Sequence, residues 1–144
     1  MTNNEALMIA ANYDAILEMT GIDFGYSLEL LEESRKVKPV QDSLENIQSV
    51  LTKKIKPLHE KKKEQEAHPE QLAALDAEIK TETDKAHAEW NKITEAEFSG
   101  SFNVIQLSKV PTNPEQLDKR VNKEGVSIAR TALLFLSRKG LVVK

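Results

Sequence analysis

The sequence contains no cysteine, which excludes disulfide bonds, thiolate nucleophiles and cysteine-ligated zinc or iron–sulfur sites. Aromatic residues make up only 5% of the chain, and five glycines and five prolines are few for an all-β protein. No apolar run approaches the roughly 20 residues that a membrane-spanning helix needs. The first residues also lack a basic stretch followed by a long apolar run, so we expect no signal peptide and no membrane partner.

Motifs that carry catalysis are also missing. The histidines, His59, His68 and His87, do not have the spacing of a metalloprotease helix, and the scattered glycines form no phosphate-binding loop. Carboxylates one helical turn apart, such as Glu78 and Glu82, fit a solvated helix face better than a catalytic pair, which would need a pocket. We therefore expect a protein that is not an enzyme and that uses no metal and no cofactor.

What the chain does contain is typical of helices that bury one stripe and expose the rest. Hydrophobic residues make up 40% and charged residues 30% of the 144 residues. The length fits a single domain over 1–144. The predicted fold class is mostly α, with N-terminal helices over 1–36, a helical hairpin over 37–98, and a short strand with C-terminal helices over 99–144.

The hairpin is predicted from two apolar stripes that flank a polar stretch, LHEKKKEQEAHPEQL, at residues 58–72. Heptad spacing runs from Val37 to Leu58, and a second stripe runs from Leu72 to Ile93. If the chain folds back between them, residue i meets roughly residue 133−i, so that Ile47 faces Ala86. The first arm carries six lysines and one acid over 52–63, whereas residues 70–97 hold eight acids and three lysines. This charge pattern favours an antiparallel pairing of unlike arms.

Two residues of the hairpin carry specific expectations. Pro57 removes a helical hydrogen bond at a cost of about 3 kcal/mol, so we expect a kink or a helix end near Lys56. Trp90 lies on the apolar stripe of the second arm, and we expect it to be buried core. The lysine run at the tip is not interleaved with aromatics and faces an acidic arm, so we expect no nucleic-acid partner.

The flanking segments are predicted from caps and periodicity. The first helix is expected to begin after a cap at Asn3 or Asn4, and Pro39 predicts a break before the hairpin. β-branched and aromatic residues over 102–107 predict a short strand, with 141–143 as its partner. Asn113 followed by proline predicts a short helix, and a final amphipathic helix ends before Gly140.

Charge is distributed unevenly along the chain. Residues 1–36 carry seven acids and two bases, and residues 109–144 carry three acids and eight bases. Arg130 lies within the apolar final helix, near its inner stripe, where a guanidinium needs an anionic partner. That partner is either an internal acid, such as Glu29 or Glu33, or the phosphate of a bound ligand. The candidate ligand-binding residues are Arg130, Lys119, Arg120 and Lys123.

The order of elements resembles a known group of proteins. A short helix, a loop with the aromatic-Ser-Leu step YSL at 26–28, a basic restart, a long charged hairpin, the segment EFSGSFNVIQLSKVP and a final ALLFL helix follow one another. This layout is similar to that of small uncharacterised accessory proteins of tailed bacteriophages. The resemblance spans most of the chain and implies a phage-encoded, non-enzymatic protein in the cytoplasm of an infected bacterium, with no functional residue carried over.

Three classes of function follow from these observations. The first is a homo-oligomeric binding protein that sequesters a host protein or a small anionic, nucleotide-like defence signal. The second is a phage virion or assembly component, and the third, an enzyme, ranks last. The narrow apolar stripes leave apolar surface exposed to solvent, and self-association would bury it. We therefore expect a homo-oligomer.

Overall fold

The computed structural model describes residues 1–19, 21–110 and 128–144. Within these residues the protein is mostly α-helical, with one small two-stranded sheet, as the sequence predicts. The predicted helix that starts near Asn113 lies outside the described residues, so that prediction stays a prediction.

The described elements follow in a simple order. They are α1 (Asn3–Leu17), α2 (Phe24–Arg35), α3 (Lys38–Glu64), α4 (Pro69–Glu95), β1 (Ile105–Gln106), a 3-10 turn (Leu107–Lys109), α5 (Ile128–Arg138) and β2 (Val142–Val143). They form two units. The compact unit comprises Met1–Lys38 and Glu97–Lys144, and the hairpin unit comprises Pro39–Ala96.

Helix α1 is the centre of the compact unit and packs against both α2 and α5. Its cap is Thr2, not Asn3 or Asn4: the Thr2 hydroxyl accepts from the Glu5 backbone N–H, and the Glu5 carboxylate accepts from the Thr2 N–H. This capping box satisfies two backbone donors at once, and its signature, Thr-x-x-Glu, is present in the sequence. The buried face of α1 consists of Ala6, Ile9, Ala10, Tyr13 and Ile16.

Helix α2 ends before the break that Pro39 predicts, and α3 begins at Lys38. The side chain of Asp23 caps the start of α2 by accepting from the Gly25 N–H. On the inward face of α2, Leu30 is buried, whereas Leu28 is 49% exposed.

The two predicted strand segments do pair. β1 and β2 run parallel, with Ile105 opposite Val142 and Gln106 opposite Val143. Gly140, with a φ of 73°, makes the turn after α5, a backbone conformation that glycine adopts without strain. The pair closes the compact unit beside the fully buried Ile105 and Leu136.

A column of aromatic rings fills the space between α1 and the segment after the hairpin. The Tyr13 ring stacks on Phe102 with centroids 5.7 Å apart, and Phe102 stacks on Phe98 at 5.5 Å. The Tyr13 hydroxyl donates to the backbone carbonyl of Asn103. The column therefore joins residues that are about ninety positions apart in the chain.

The hairpin unit consists of α3 and α4, 27 residues each, which run antiparallel. Two ion pairs cross between the arms, Lys54 with Glu82 at 3.4 Å and Lys62 with Asp76 at 2.5 Å. The turn at 65–68 lies within the predicted polar tip. Of the two outcomes expected near Lys56, the helix end is wrong: α3 continues through the exposed Pro57 to Glu64.

The core of the compact unit makes a direct prediction on stability. Leu136 is fully buried and Leu134, two residues earlier on α5, is 54% exposed. We expect Leu136→Ala to lower the free energy of unfolding by about 2–5 kcal/mol, since it leaves a cavity. Leu134→Ala, the matched control, is expected to change it by less than about 1 kcal/mol. Urea unfolding followed by circular dichroism measures both, and equal losses would contradict this description of the core.

Candidate functional site

The candidate site is a groove along one face of the hairpin unit, which we call the hairpin groove. It has a volume of about 280 Å³. Its lining residues are Asn46, Ile47, Val50, Leu51 and Lys54 of α3, and Glu82, Lys85, Ala86 and Glu89 of α4. Its floor is apolar and its charged residues stand on the rim, which is the usual composition of a surface that binds another protein.

The groove exists because the seam between the arms is only half closed. Both arms lie wholly within the described residues, and there no residue of α4 is buried and Leu44 is the only buried residue of α3. The predicted stripe residues, among them Ile47, Leu51 and Ile79, are half-buried. Two helices thus meet along the predicted seam without covering it.

Ala86 explains why the space is concentrated at mid-arm. Its methyl group is the smallest side chain of the α4 stripe, and it lies level with the bulkier Ile47 and Val50 on the groove. A second depression of about 440 Å³ shares Ile47, Leu51 and Ala86 with the first and adds Gln48, His87, Trp90 and Asn91. The hairpin is therefore open on both sides at the level of Ala86.

Val50 is the residue that the sequence reading missed. It stands beside the heptad stripe, three residues after Ile47, and its side chain is 53% exposed. The signal was an apolar residue on a neighbouring helical position, which widens the stripe on one side only. That widening gives the groove its apolar floor.

The expectation that Trp90 is buried is wrong. The indole is 38% exposed and lies in the second depression, on the side of α4 away from Glu82. The apolar stripe placed it on the seam correctly, but the arms do not close over a side chain of that size.

The rim charges are paired across and along the arms. Glu82 accepts from Lys54 on the opposite arm and lies 3.6 Å from Lys85 on its own helix. The hydrogen bond from Lys54, with the attraction of both lysines, lowers the pKa of Glu82 below its usual value. The carboxylate is therefore charged near neutral pH, and the rim is an ion-pair network rather than an acid–base centre.

Of the four predicted anion-binding residues, the structure describes Arg130 alone. Arg130 lies on α5 and is exposed, not on the inner stripe, which consists of Ala129, Ala132 and Leu136. The correction follows from helical geometry, since Arg130 is one position past Ala129 and projects about 100° away from it. Lys119, Arg120 and Lys123 lie outside the described residues.

Glu33, which we named as a partner for Arg130, is instead held inside the compact unit. It is 7% exposed and accepts from the Lys36 ammonium at 2.8 Å, from the Asn103 backbone N–H at 2.8 Å and from the Asn103 amide at 3.0 Å. A buried carboxylate with three donors is satisfied. Lys36 also donates to the Ser101 carbonyl, so this cluster fixes α2 to the segment after the hairpin.

Two further properties of the described residues bear on function. They contain no group of three or more histidine, aspartate or glutamate side chains that could hold a metal ion. None of the helices described is both long enough and apolar enough to cross a bilayer.

Comparisons with protein families, with curated proteins and with solved structures find no match to this chain.

Tyr13, which lies against the Glu33 cluster, gives a prediction on pH. Burial, with the nearby charge of Glu33, raises the pKa of Tyr13 above its ordinary value of 10.0. Above about pH 10 the unfolded phenol ionises while the folded one stays neutral. The free energy of unfolding should therefore fall as the pH rises, by up to about 1.4 kcal/mol per pH unit for this one proton.

Tyr13→Phe should flatten that fall by about one proton, although loss of the hydrogen bond lowers stability at pH 7 by about 1 kcal/mol. Urea unfolding at a series of pH values from 7 to about 11 measures the slope. Tyr26 is the only other tyrosine, and its pKa is also raised by burial, so Tyr26→Phe is the comparison variant. An unchanged slope in Tyr13→Phe would show that its phenol ionises normally in the fold.

Trp90 gives a prediction on solvent access. As the only tryptophan of the chain it reports alone, and its partial exposure predicts a red-shifted emission and efficient quenching by acrylamide. Trp90→Ala should then cost less than the roughly 3–5 kcal/mol of a buried tryptophan. Fluorescence before and after unfolding in urea provides the reference, and emission typical of an apolar interior in the native protein would contradict the open hairpin.

Proposed function

We propose that this chain is a non-enzymatic accessory protein, of the phage type that its layout resembles, and that it acts by binding protein through the hairpin groove. One observation carries the proposal: an apolar floor of Ile47, Val50, Leu51 and Ala86, bordered by charges, lies on the surface of two long helices. Val50 at 53% exposure is a substantial apolar side chain without cover.

The shape of the groove supports a helical segment as the bound element. It runs between two antiparallel helices, so a third helix can lay its apolar stripe along it and place its polar face outward. Such a segment buries apolar area over several turns, and each buried methylene group contributes about 0.8 kcal/mol. Charged side chains on the rim then set the orientation and exclude unsuitable partners.

The same contacts favour a protein target over a small anionic ligand at this site. A small anion needs cations with donors turned toward it, whereas Lys54 and Lys85 are engaged with Glu82. Sequestration of an anionic signal by Arg130 and the basic segment around Lys119–Lys123 stays a prediction, since most of that segment lies outside the described residues.

The non-catalytic part of the proposal is supported by two of the described carboxylates. Glu33 is saturated by three donors, and Glu82 is paired with lysines. Both contacts hold helices in place. The groove serves either of the roles expected from the sequence, capture of a host protein or assembly with other phage proteins, because both require an exposed apolar helical surface.

A photo-crosslinking amino acid placed at Val50 tests this function. We expect a specific adduct with a protein chain during expression, because the side chain points into the groove. The matched control is the same amino acid at Ser49, which is exposed and projects about 100° away on the same helix. Mass spectrometry of the adduct identifies the partner, whether a second copy or another protein. Equal background labelling at both positions would refute a binding role for the groove.

A further inference from the structure

We propose that the occupant of the hairpin groove is the hairpin of a second copy of this chain. In this dimer a two-fold axis runs parallel to the helices, so α3 of each copy lies against α4 of the other and the four helices form one bundle. The inference rests on the proposed function, since it names the partner that the groove binds.

The charges on the two sides of the groove differ in sign. On the α3 side stand Lys54, Lys53 one turn beyond Val50, and Lys61 two turns beyond Lys54. Toward the tip, Glu60 and Glu64 are the acidic exceptions on this side. On the α4 side stand Glu82, Glu89 and, one turn before Glu82, Glu78, with Lys85 as the exception. At the level of the groove, each copy therefore presents one basic and one acidic edge around a common apolar floor.

The difference in charge between the two edges decides between two possible symmetric dimers. Two hairpins can stack groove on groove about a two-fold axis that runs either across the helices or along them. An axis across the helices sets α3 on α3 and α4 on α4, which brings like charges together. An axis along the helices sets α3 on α4 at both edges, so that each basic edge meets an acidic one. Charge complementarity selects the second arrangement.

The apolar floor fits that arrangement as well. A two-fold axis along the helices keeps every residue at its own height, and the Lys54–Glu82 ion pair shows which residues share a height. Val50 is one turn before Lys54, and Ala86 is one turn after Glu82, so these two are level. Val50 of one copy then packs over Ala86 of the other, and the exposed branched side chain fills the space left by the small one.

The dimer also supplies partners for charges that lack one. Among the described residues, Lys53, Lys61 and Glu78 make no ion pair within 4 Å, and helical spacing places each of them on the side of its helix that carries the groove. The Lys62–Asp76 pair places Lys61 at nearly the height of Glu78, and Lys53 is level with Glu82. Lys61 therefore meets Glu78 of the second copy, and the reverse contact forms by symmetry.

Charge reversal on one edge at a time tests the arrangement in the full chain. The first variant, Lys53→Glu with Lys61→Glu, makes both edges acidic. The second, Glu78→Lys with Glu89→Lys, makes both edges basic. Sedimentation equilibrium should show that the wild type dimerises and that each variant alone associates at least about tenfold more weakly, because like charges meet at both edges.

Mixing the two variants should restore the dimer as a heterodimer, since acidic α3 then meets basic α4 and the reverse holds at the other edge. The matched control, Lys56→Glu with Lys63→Glu, changes the same charge on parts of α3 that do not line the groove and should dimerise like the wild type; Lys63 lines a separate depression near the tip. Circular dichroism confirms that each variant is helical. If a variant unfolds, a second experiment replaces the charge reversal. A copy with a photo-crosslinker at Val50 is mixed with an isotopically labelled copy, and mass spectrometry shows which peptide of the labelled copy it reacts with.

The outcomes separate the two proposals. A wild type that stays monomeric, a mixture that does not recover, or a Val50 adduct that maps to α3 of the second copy would overturn the two-fold arrangement. A Val50 adduct with a different protein, together with a monomeric wild type, would refute the proposed dimer and leave the proposed binding function intact. An adduct at or near Ala86 of the second copy supports both.

Discussion

Two helices can cover each other along one line only, and this constraint governs the hairpin unit. Each arm of 27 residues carries a stripe wider than the line of contact, because Val50 lies beside the heptad positions of α3 and Trp90 is too large for the α4 seam. Burying those side chains needs a further layer of helices. The exposure of apolar residues on the arms therefore follows from having two helices, whatever their sequence register.

The compact unit resolves the same problem with more elements. Helix α1 is covered by α2, by α5 and by the aromatic segment around Phe102, and its face from Ala6 to Ile16 is buried. Among the described residues, no buried polar side-chain atom of this core lacks a hydrogen-bond partner, and Glu33 has Lys36 and Asn103. A thin hydrophobic core can thus stay closed when contacts between distant parts of the chain, such as Tyr13 with Asn103, fasten it.

We propose that function belongs to the hairpin unit, which is left open. Ion pairs such as Lys54–Glu82 contribute little to stability in solvent, roughly 0–1 kcal/mol each, but their signs are fixed by the sequence of each arm. In that proposed role, the apolar floor supplies affinity, and the charged edges supply orientation and choice of partner.

The sequence by itself determined what depends on local pattern. The helical hairpin, its polar tip, the break at Pro39 and the strand pair at 105–106 and 142–143 were all predictable, since periodicity and turn residues act over a few positions. Even the Thr2 cap had a local signature, although we assigned the cap to its neighbours. A helix end at Pro57 was the wrong alternative, because the contacts between the arms continue beyond it through Leu58 and Lys62 and outweigh the low helix propensity of one residue.

Only the tertiary structure decided which side chains the pattern leaves exposed or encloses. Trp90 and Val50 remain partly exposed because the facing side chains are too small to cover them. Ala86, which lies beside both depressions, has only a methyl group. Glu33 is buried because Asn103, seventy residues later, brings two donors to it. Arg130 faces outward because the buried face of α5 contains Ala129 and Leu136, and Arg130 lies on a different face of the helix. The exposure of these side chains depends on contacts between residues far apart in the chain, and the periodicity of a sequence carries no information on such contacts.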